Sequence, residues 1–346
     1  MVEIGEGSGV WLDKPLAIGT MQWGTTWLDS KMGSILTEKE IKDISTFLVD
    51  DQGIQCFDTA EGYGGGSSEL RLKHARQFCF GPMIVSTKFL PAFWRWSEAS
   101  FFRALLESNK RLGVECCDFY FIHTPIHPLP LEFWIKCACK AQFQGYIKAI
   151  GISNCNADQV QRAHAEALKH GSRIACNQIM FNLLDYNAIE LRKTEKVCQD
   201  LGIRIMAYSP IAQGLLVDGL TREKFARNRI VRIGGLKWED LTPLRMKISE
   251  IAEKNGKSMA QVCLNWVICH GAIPLVGIRT LDQAKSAVGC LGWKLSSEEL
   301  ESLDQFALCR STLSKPGWKR FVFLFMISSL ILAYRISTFL TGGLQD

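Results

Sequence analysis

The chain lacks a strong charge of either sign. Its 40 Lys and Arg against 35 Asp and Glu leave a formal charge of +5. Five basic residues and one acidic residue fall between Arg310 and Asp346, so the body before them is close to neutral. A basic stripe able to track a phosphate backbone is missing, and no nucleic-acid partner is expected. The chain also does not open on a basic segment followed by an apolar stretch, so a cleaved secretory signal is not expected unless the sequence starts late. Thirteen cysteines form neither a disulfide framework nor a zinc set. They sit singly in apolar runs, as Cys56, Cys176 and Cys263 do, and Cys116-Cys117 and Cys137-Ala138-Cys139 have no second pair at zinc spacing. Reduced, mostly buried thiols and no metal site are the expectation. Two glycine clusters fall short of phosphate loops. Gly5-Glu6-Gly7-Ser8-Gly9 follows no strand and has Val10 where a third glycine belongs, while Gly64-Gly65-Gly66 is not followed by Lys and Ser or Thr. The second reads as a flexible link into a helix capped by Ser67 or Ser68.

What is present is a chain of 346 residues, 47% hydrophobic, in which short apolar runs end on reactive side chains. Ile54-Gln55-Cys56-Phe57 ends on Asp58 and leads through a glycine-punctuated loop to Tyr63; Met83 to Thr87 ends on Lys88; Asp118 to Ile122 ends on His123. Asp58 and Lys88 lie 30 residues apart and Lys88 and His123 lie 35 apart, each about one βα unit. An Asp, a Tyr, a Lys and a His are therefore expected together at the carboxyl ends of adjacent parallel strands. Further runs at Leu16, Ile147, Ile174, Ile203 and Ile273 bring the strands to eight, alternating with amphipathic segments. This is the pattern of a (β/α)8 TIM barrel, with a doubly wound open sheet as the alternative from periodicity alone. Histidines 74, 127, 164, 170 and 270 hold no such position and read as ordinary.

The segments D-T-A-E-G-Y-G from Asp58, S-T-K-F from Ser86, F-I-H-T from Phe121 and G-I-S-N from Gly151 resemble the aldo-keto reductases, from about Leu16 to Leu308. Y-S-P-I-A-Q-G from Tyr208 and L-G-W-K-L from Leu291 place the resemblance nearest the plant and algal, plastid-type branch. It implies NADPH-dependent reduction of a small-molecule aldehyde or ketone, with Tyr63 as proton donor, Lys88 tuning it toward the phenolate, Asp58 holding Lys88, and His123 orienting the substrate oxygen. For the cofactor it implies Thr20 and Met21 beside the nicotinamide, Ser153, Asn154 and Gln178 on its carboxamide, Tyr208 on its ring, and Ser209 and Pro210 along the diphosphate. Gly277, Arg279 and Gln283 then belong to the adenosine end, where Arg279 favours NADPH by meeting a 2′-phosphate. The alternative is an NADPH-binding sensor of the channel β-subunit type; such relatives typically lack the histidine that His123 supplies here.

The sequence departs from the family in three places. Ser286 and Ala287 stand where a Glu-Asn pair commonly follows the glutamine, which weakens the adenine grip unless the segment from Ile211 to Thr242 compensates. That segment fits neither period; it reads as a lid or substrate loop, with one of Arg222, Lys224, Arg227, Arg229 and Arg232 closing on a phosphate. Beyond the barrel, Lys315 to Arg320 leads into fourteen uncharged residues from Phe321 to Tyr334. This reads as a hydrophobic helix and membrane anchor, the barrel on the cytosolic or stromal side, or as a helix docked on a soluble cytoplasmic or plastid enzyme. The expected divisions are an N-terminal segment at 1–15, the barrel at 16–309 and the tail at 310–346. Trp23, Trp94, Trp96 and Thr124 are expected around the substrate pocket, with packing as the equal alternative for the tryptophans.

Overall fold

A computed structural model describes residues 1–24 and 35–309. Eight parallel strands close on themselves: β3 (Ala17–Gly19), β4 (Cys56–Asp58), β5 (Ile84–Phe89), β6 (Cys117–Ile122), β7 (Ile147–Ser153), β8 (Ile174–Met180), β9 (Arg204–Tyr208) and β10 (Ile273–Gly277). Each pairs with the next in chain order, and β10 returns to β3 through Leu275 opposite Ala17. The (β/α)8 barrel is thus the architecture, and the open-sheet alternative is excluded by that last pairing.

Strand periodicity divides the side chains between two cores. On β5, Ser86 and Lys88 point into the barrel toward Asp58, whereas Thr87 bonds outward to Glu69 and Phe89 joins Phe101 and Trp134 beneath the helices. On β6, Phe119 and Phe121 fill the interior while Tyr120 and Ile122 face the helical layer. Phe121 in turn requires a neighbour without a side chain, because a Cβ on Gly151 would sit 2.3 Å from its ring. A glycine in G-I-S-N is thereby explained by packing.

The outer layer comprises α1 (Glu38–Thr46), α2 (Ser67–Phe78), α3 (Glu98–Leu112), α4 (Leu131–Phe143), α5 (Ala157–Lys169), α6 (Ile189–Asp200), α7 (Arg222–Arg227), α8 (Arg229–Gly234), α9 (Trp238–Asn255), α10 (Met259–Cys269), α11 (Leu281–Val288) and α12 (Ser297–Phe306). Reciprocal capping boxes start several of them, at Thr37, Ser97, Asn156, Ser258 and Ser296. Two boundaries differ from the sequence reading. α9 begins at Trp238, inside the segment from Ile211 to Thr242 that fits neither period, with Pro243 in its second turn, since a proline near a helix start interrupts few backbone bonds. The segment after Ile211 holds α7 and α8, capped by Thr221 and Asn228, each too short to display a 3.6-residue period.

Residues 1–15 form more than a glycine-rich lead. β1 (Val2–Glu3) and β2 (Trp11–Leu12) make an antiparallel hairpin, and Ile4, Val10 and Leu12 join Cys56, Phe119, Phe121, Cys176 and Met206 in one apolar cluster. The hairpin is tied to the amino end of the barrel by the Glu6 N–H donating to Gly202 O, at 2.9 Å. Apolar side chains floor the barrel, and its polar groups lie at the opposite, carboxyl end. The expected hydrophobic helix and membrane anchor at 310–346 lie outside the described residues. Among the described residues no helix is long and apolar enough to cross a membrane.

One polar cluster locks the last helix in place. His270, closing α10, lies against Phe181, Tyr186 and Trp266. Its Nδ1 is 3.0 Å from the Tyr186 hydroxyl and 3.2 Å from Glu195 Oε1, and its Nε2 is 3.1 Å from Asp304 Oδ1 on α12. Burial pushes the imidazolium pKa down, but hydrogen bonds donated to the Asp304 and Glu195 carboxylates outweigh it and leave the value above the ordinary one. A raised folded-state pKa means that this contribution is complete below the unfolded value and fades as pH rises through the folded value. We therefore expect His270→Gln to lose about 1–3 kcal/mol of stability near pH 6, a charged hydrogen bond's worth, and distinctly less near pH 9. Urea unfolding at the two pH values checks this.

Candidate active site

The carboxyl ends of β4, β5 and β6 bring Asp58, Lys88 and His123 to one mouth, and the loop after β4 folds Tyr63 over them. Lys88 is fully buried, and its ammonium donates to Asp58 Oδ2 at 2.5 Å and to the Thr59 carbonyl at 2.7 Å. The second carboxylate oxygen of Asp58 accepts from Ser86 Oγ at 2.7 Å and from Gln178 Nε2 at 3.0 Å. A buried anion and a buried cation are thus each saturated by partners, which a water-excluded charge requires.

Tyr63 lies over this pair, its ring centroid 4.9 Å from Lys88 Nζ and 5.9 Å from the His123 ring, edge to face. The turn that places it is made of three successive left-handed glycines, Gly64, Gly65 and Gly66, at φ of +58°, +64° and +97°. Side chains disfavour that conformation, and at Gly66 a Cβ would also meet Arg111 at 2.8 Å. Gly64-Gly65-Gly66 is therefore a built turn rather than a flexible link, and α2 begins at Ser67 with no side-chain cap.

Burial pushes the Tyr63 phenol above its ordinary range, and the Lys88 charge opposes it without cancelling it. The lysine thus pulls the phenol toward the phenolate, the direction the resemblance implies, while burial pulls it the other way. For Lys88, burial favours the neutral amine, but Asp58 and Tyr63 reverse this and raise its pKa. His123 is driven to about 3, first by burial and then by the Lys88 charge, so its ring is neutral. Its Nδ1 is buried with no protein partner. A buried lone pair is a smaller penalty than a buried orphan N–H, so this favours the tautomer with its proton on Nε2, as a donor toward the mouth.

The residues expected on the cofactor side form one hydrogen-bonded series. Ser153 Oγ donates to Gln178 O at 2.8 Å, Asn154 Nδ2 donates to the His123 carbonyl at 3.1 Å, and the Tyr208 hydroxyl donates to Asn154 Oδ1 at 2.9 Å. Asn154 and Ser209 take positive φ, of 60° and 52°, at the ends of β7 and β9. Pro210 is buried, and Met21 is exposed. Thr20 is wholly buried, its hydroxyl donating to the Asp58 carbonyl at 3.0 Å. On the far side, Gly277 is exposed at the end of β10, the Arg279 N–H donates to Gln283 Oε1 at 2.8 Å, and Thr280 caps α11 through Gln283 N.

Among the residues expected at the pocket, Trp23 belongs to the core: it is fully buried and its Nε1 donates to the Ile278 carbonyl at 2.8 Å. Thr124 is buried as well, whereas Trp94 is half-buried and Trp96 is exposed against His127, ring centroids 5.2 Å apart. In the segment after Ile211, Arg222 and Arg227 lie near Glu239 and Glu223, at 3.5 and 2.8 Å. Sequence reasoning passed over Ser86, the second partner of Asp58, and the buried pair Glu61–Arg95; the only signal was a carboxylate inside the D-T-A-E-G-Y-G segment itself. No cluster of His, Cys, Asp and Glu able to hold a metal occurs among the described residues.

A curated relative, the chloroplastic pyridoxal reductase of Arabidopsis thaliana, is 29% identical over 306 residues, covering 85% of this chain and 83% of the relative. Among solved structures, a thermostable aldo-keto reductase complexed with the inhibitor epalrestat superposes with a TM-score of 0.69 at 23% identity, covering 88% of this chain and 98% of the other. An aldo-keto reductase of Bombyx mori in complex with NADP gives 0.66 at 23% identity, covering 88% and 92%. These two likenesses establish the fold. The family model for the aldo/keto reductases matches residues 15–308, and the chain accordingly belongs to that family, NAD(P)H-dependent oxidoreductases acting on carbonyl and alcohol groups.

Proposed function

We propose that the protein reduces aldehydes or ketones to alcohols with NADPH, and that Tyr63 delivers the proton. The observation that carries this reading is the fully buried Lys88–Asp58 pair lying under the Tyr63 ring, with His123 beside it. NADPH would supply a hydride to the carbonyl carbon. The chain must supply a proton to the oxygen and stabilise the charge developing there. A phenol with an ordinary pKa of about 10 is protonated at neutral pH, and burial pushes Tyr63 further the same way, so its proton is in place to be delivered. As it releases the proton, the adjacent Lys88 ammonium stabilises the phenolate, and Asp58 keeps that ammonium charged and in place. Neutral His123, donating from Nε2, orients the carbonyl oxygen toward the phenol.

The residues around the barrel mouth suit the dinucleotide. Asn154 and Gln178 carry both donors and acceptors, matching a carboxamide, and Tyr208, held by its hydroxyl, offers a fixed aromatic wall. Arg279 stands just before the capped start of α11, where a guanidinium and helix N–H groups suit a 2′-phosphate. The absence of the Glu-Asn pair after Gln283 leaves Arg279 with the larger share of recognition there. The sensor alternative gains nothing from the geometry, since His123 sits within the tetrad. Half-buried Trp94 and exposed Phe93 and Trp96, together with the pyridoxal-reducing relative, support a planar aromatic aldehyde such as pyridoxal as the first substrate to try. The composition of 310–346 supports tethering to a membrane, with the barrel on the positively flanked side. Carbonate extraction that leaves the full-length chain in the soluble fraction would remove that idea.

Two kinetic outcomes follow. Tyr63→Phe should lower kcat for NADPH-dependent aldehyde reduction by about 10²- to 10⁴-fold, the usual yield of a positioned acid. In the parent enzyme, kcat should stay flat through neutral pH and fall only where the raised phenol ionises, above the ordinary tyrosine value of about 10. An activity lost already near neutrality would contradict this assignment. Arg279→Met should raise the dissociation constant for NADPH by about 10- to 100-fold and leave NADH nearly unchanged, as measured by fluorescence titration.

A further inference from the structure

Two residues from Tyr63, Glu61 is almost fully buried at 8% exposure, and so is its partner Arg95 at 7%. The guanidinium grips both carboxylate oxygens, Nη1 to Oε1 at 2.5 Å and Nη2 to Oε2 at 2.8 Å. Oε1 also accepts the Leu90 N–H at 2.7 Å, and Arg95 Nη1 donates back to the Leu90 carbonyl at 2.7 Å. The guanidinium lies 4.8 Å from the centroid of Phe89, the residue after Lys88. One ion pair thus joins the loop that carries Tyr63 to the end of the strand that carries Lys88. It also gathers the turn from Leu90 to Arg95, closed by Ala92 N–H to Leu90 O and Arg95 N–H to Ala92 O, which presents Phe93 and Trp94 at the mouth.

Covering the mouth does not require such a pair. A buried ion pair adds little stability over apolar residues of like volume, because desolvation offsets most of the attraction. Its directional bonds do fix two backbones relative to each other. Glu61 is not among the groups that shift the Tyr63 phenol, so the pair acts on position rather than on acidity.

We propose that Glu61 and Arg95 are positioning residues for proton transfer: they hold the Tyr63 loop in register with Lys88 and fix the aromatic rim to the same frame. This rests on the assignment of Tyr63 as the acid. The clamp's hydrogen bonds run to Leu90 and within the pair, and to none of the residues assigned to the cofactor, so its loss separates the rate of chemistry from cofactor binding.

The test uses the full-length chain and the variants Arg95→Met, Glu61→Gln and the double variant, with Tyr63→Phe measured alongside. Arg95→Met should lower kcat by about 10- to 100-fold, the scale of a misplaced catalytic group, with the NADPH dissociation constant within about twofold of the parent. With 4-deuterated NADPH, the isotope effect on kcat should rise as hydride and proton transfer become limiting. The double variant removes both charges, so its urea midpoint should recover toward the parent while kcat stays low. A double variant that regains kcat together with its midpoint, or an Arg95→Met enzyme of lowered midpoint and full kcat, overturns the proposal. Where Arg95→Met does not fold, Arg95→Lys is read by the same criteria, since it keeps the charge and loses the two-pronged grip. Full activity in Tyr63→Phe removes the acid assignment and the clamp with it; an inactive Tyr63→Phe beside an unaffected Arg95→Met removes the clamp alone.

Discussion

The site depends on one buried ion pair. Lys88 has no exposure to water, and an ammonium in that setting persists only because Asp58 and the Thr59 carbonyl receive it. Removing either charge would leave the other uncompensated in the interior, a penalty of about 3–5 kcal/mol. The surrounding arrangement reads as provision for that pair: Ser86 and Gln178 occupy the other oxygen of Asp58, and Thr20 anchors its backbone carbonyl. The neutrality of His123 follows as well, because burial and a permanent positive charge nearby both disfavour a second cation.

This arrangement explains how one side chain from each of several distant segments can act together. Strand alternation sends Ser86 and Lys88 inward and Thr87 and Phe89 outward, so the same six residues of β5 build the catalytic floor and the helix interface. Rigid strands set the charges, whereas a loop holds the acid. The loop is the less constrained partner, and it is the one that receives additional restraint, from left-handed glycines on one side and from Glu61 on the other.

The fold and the tetrad's positions could be read from the sequence because both rest on local regularities. A strand that ends on a titratable side chain every thirty or so residues is visible without coordinates, and Asp58, Lys88 and His123 all have that form. The remainder depends on pairs that are remote in the chain. Gln178 reaches Asp58 across 120 residues, and nothing near Gln178 announces it. Trp23 could be read as a pocket or a packing aromatic, and only its indole N–H finding the Ile278 carbonyl decides for the core. The terminal hairpin was missed since two-residue strands give no period, and α7 and α8 for the same reason. The opposing effect of burial on Tyr63 was not legible: how far it competes with the neighbouring Lys88 charge is set by three-dimensional enclosure, which a sequence does not display.

The ring is joined by its first and last strands, with Leu275 of β10 beside Ala17 of β3. During synthesis β3 leaves the ribosome early and waits beside an open edge until β10 has emerged. Over that interval Phe119, Phe121 and the underside of the half-built sheet have no complete enclosure, and an unpaired parallel edge is an invitation to foreign strands. Vectorial production thus leaves the ring open until the residues around Ile273 arrive to close it.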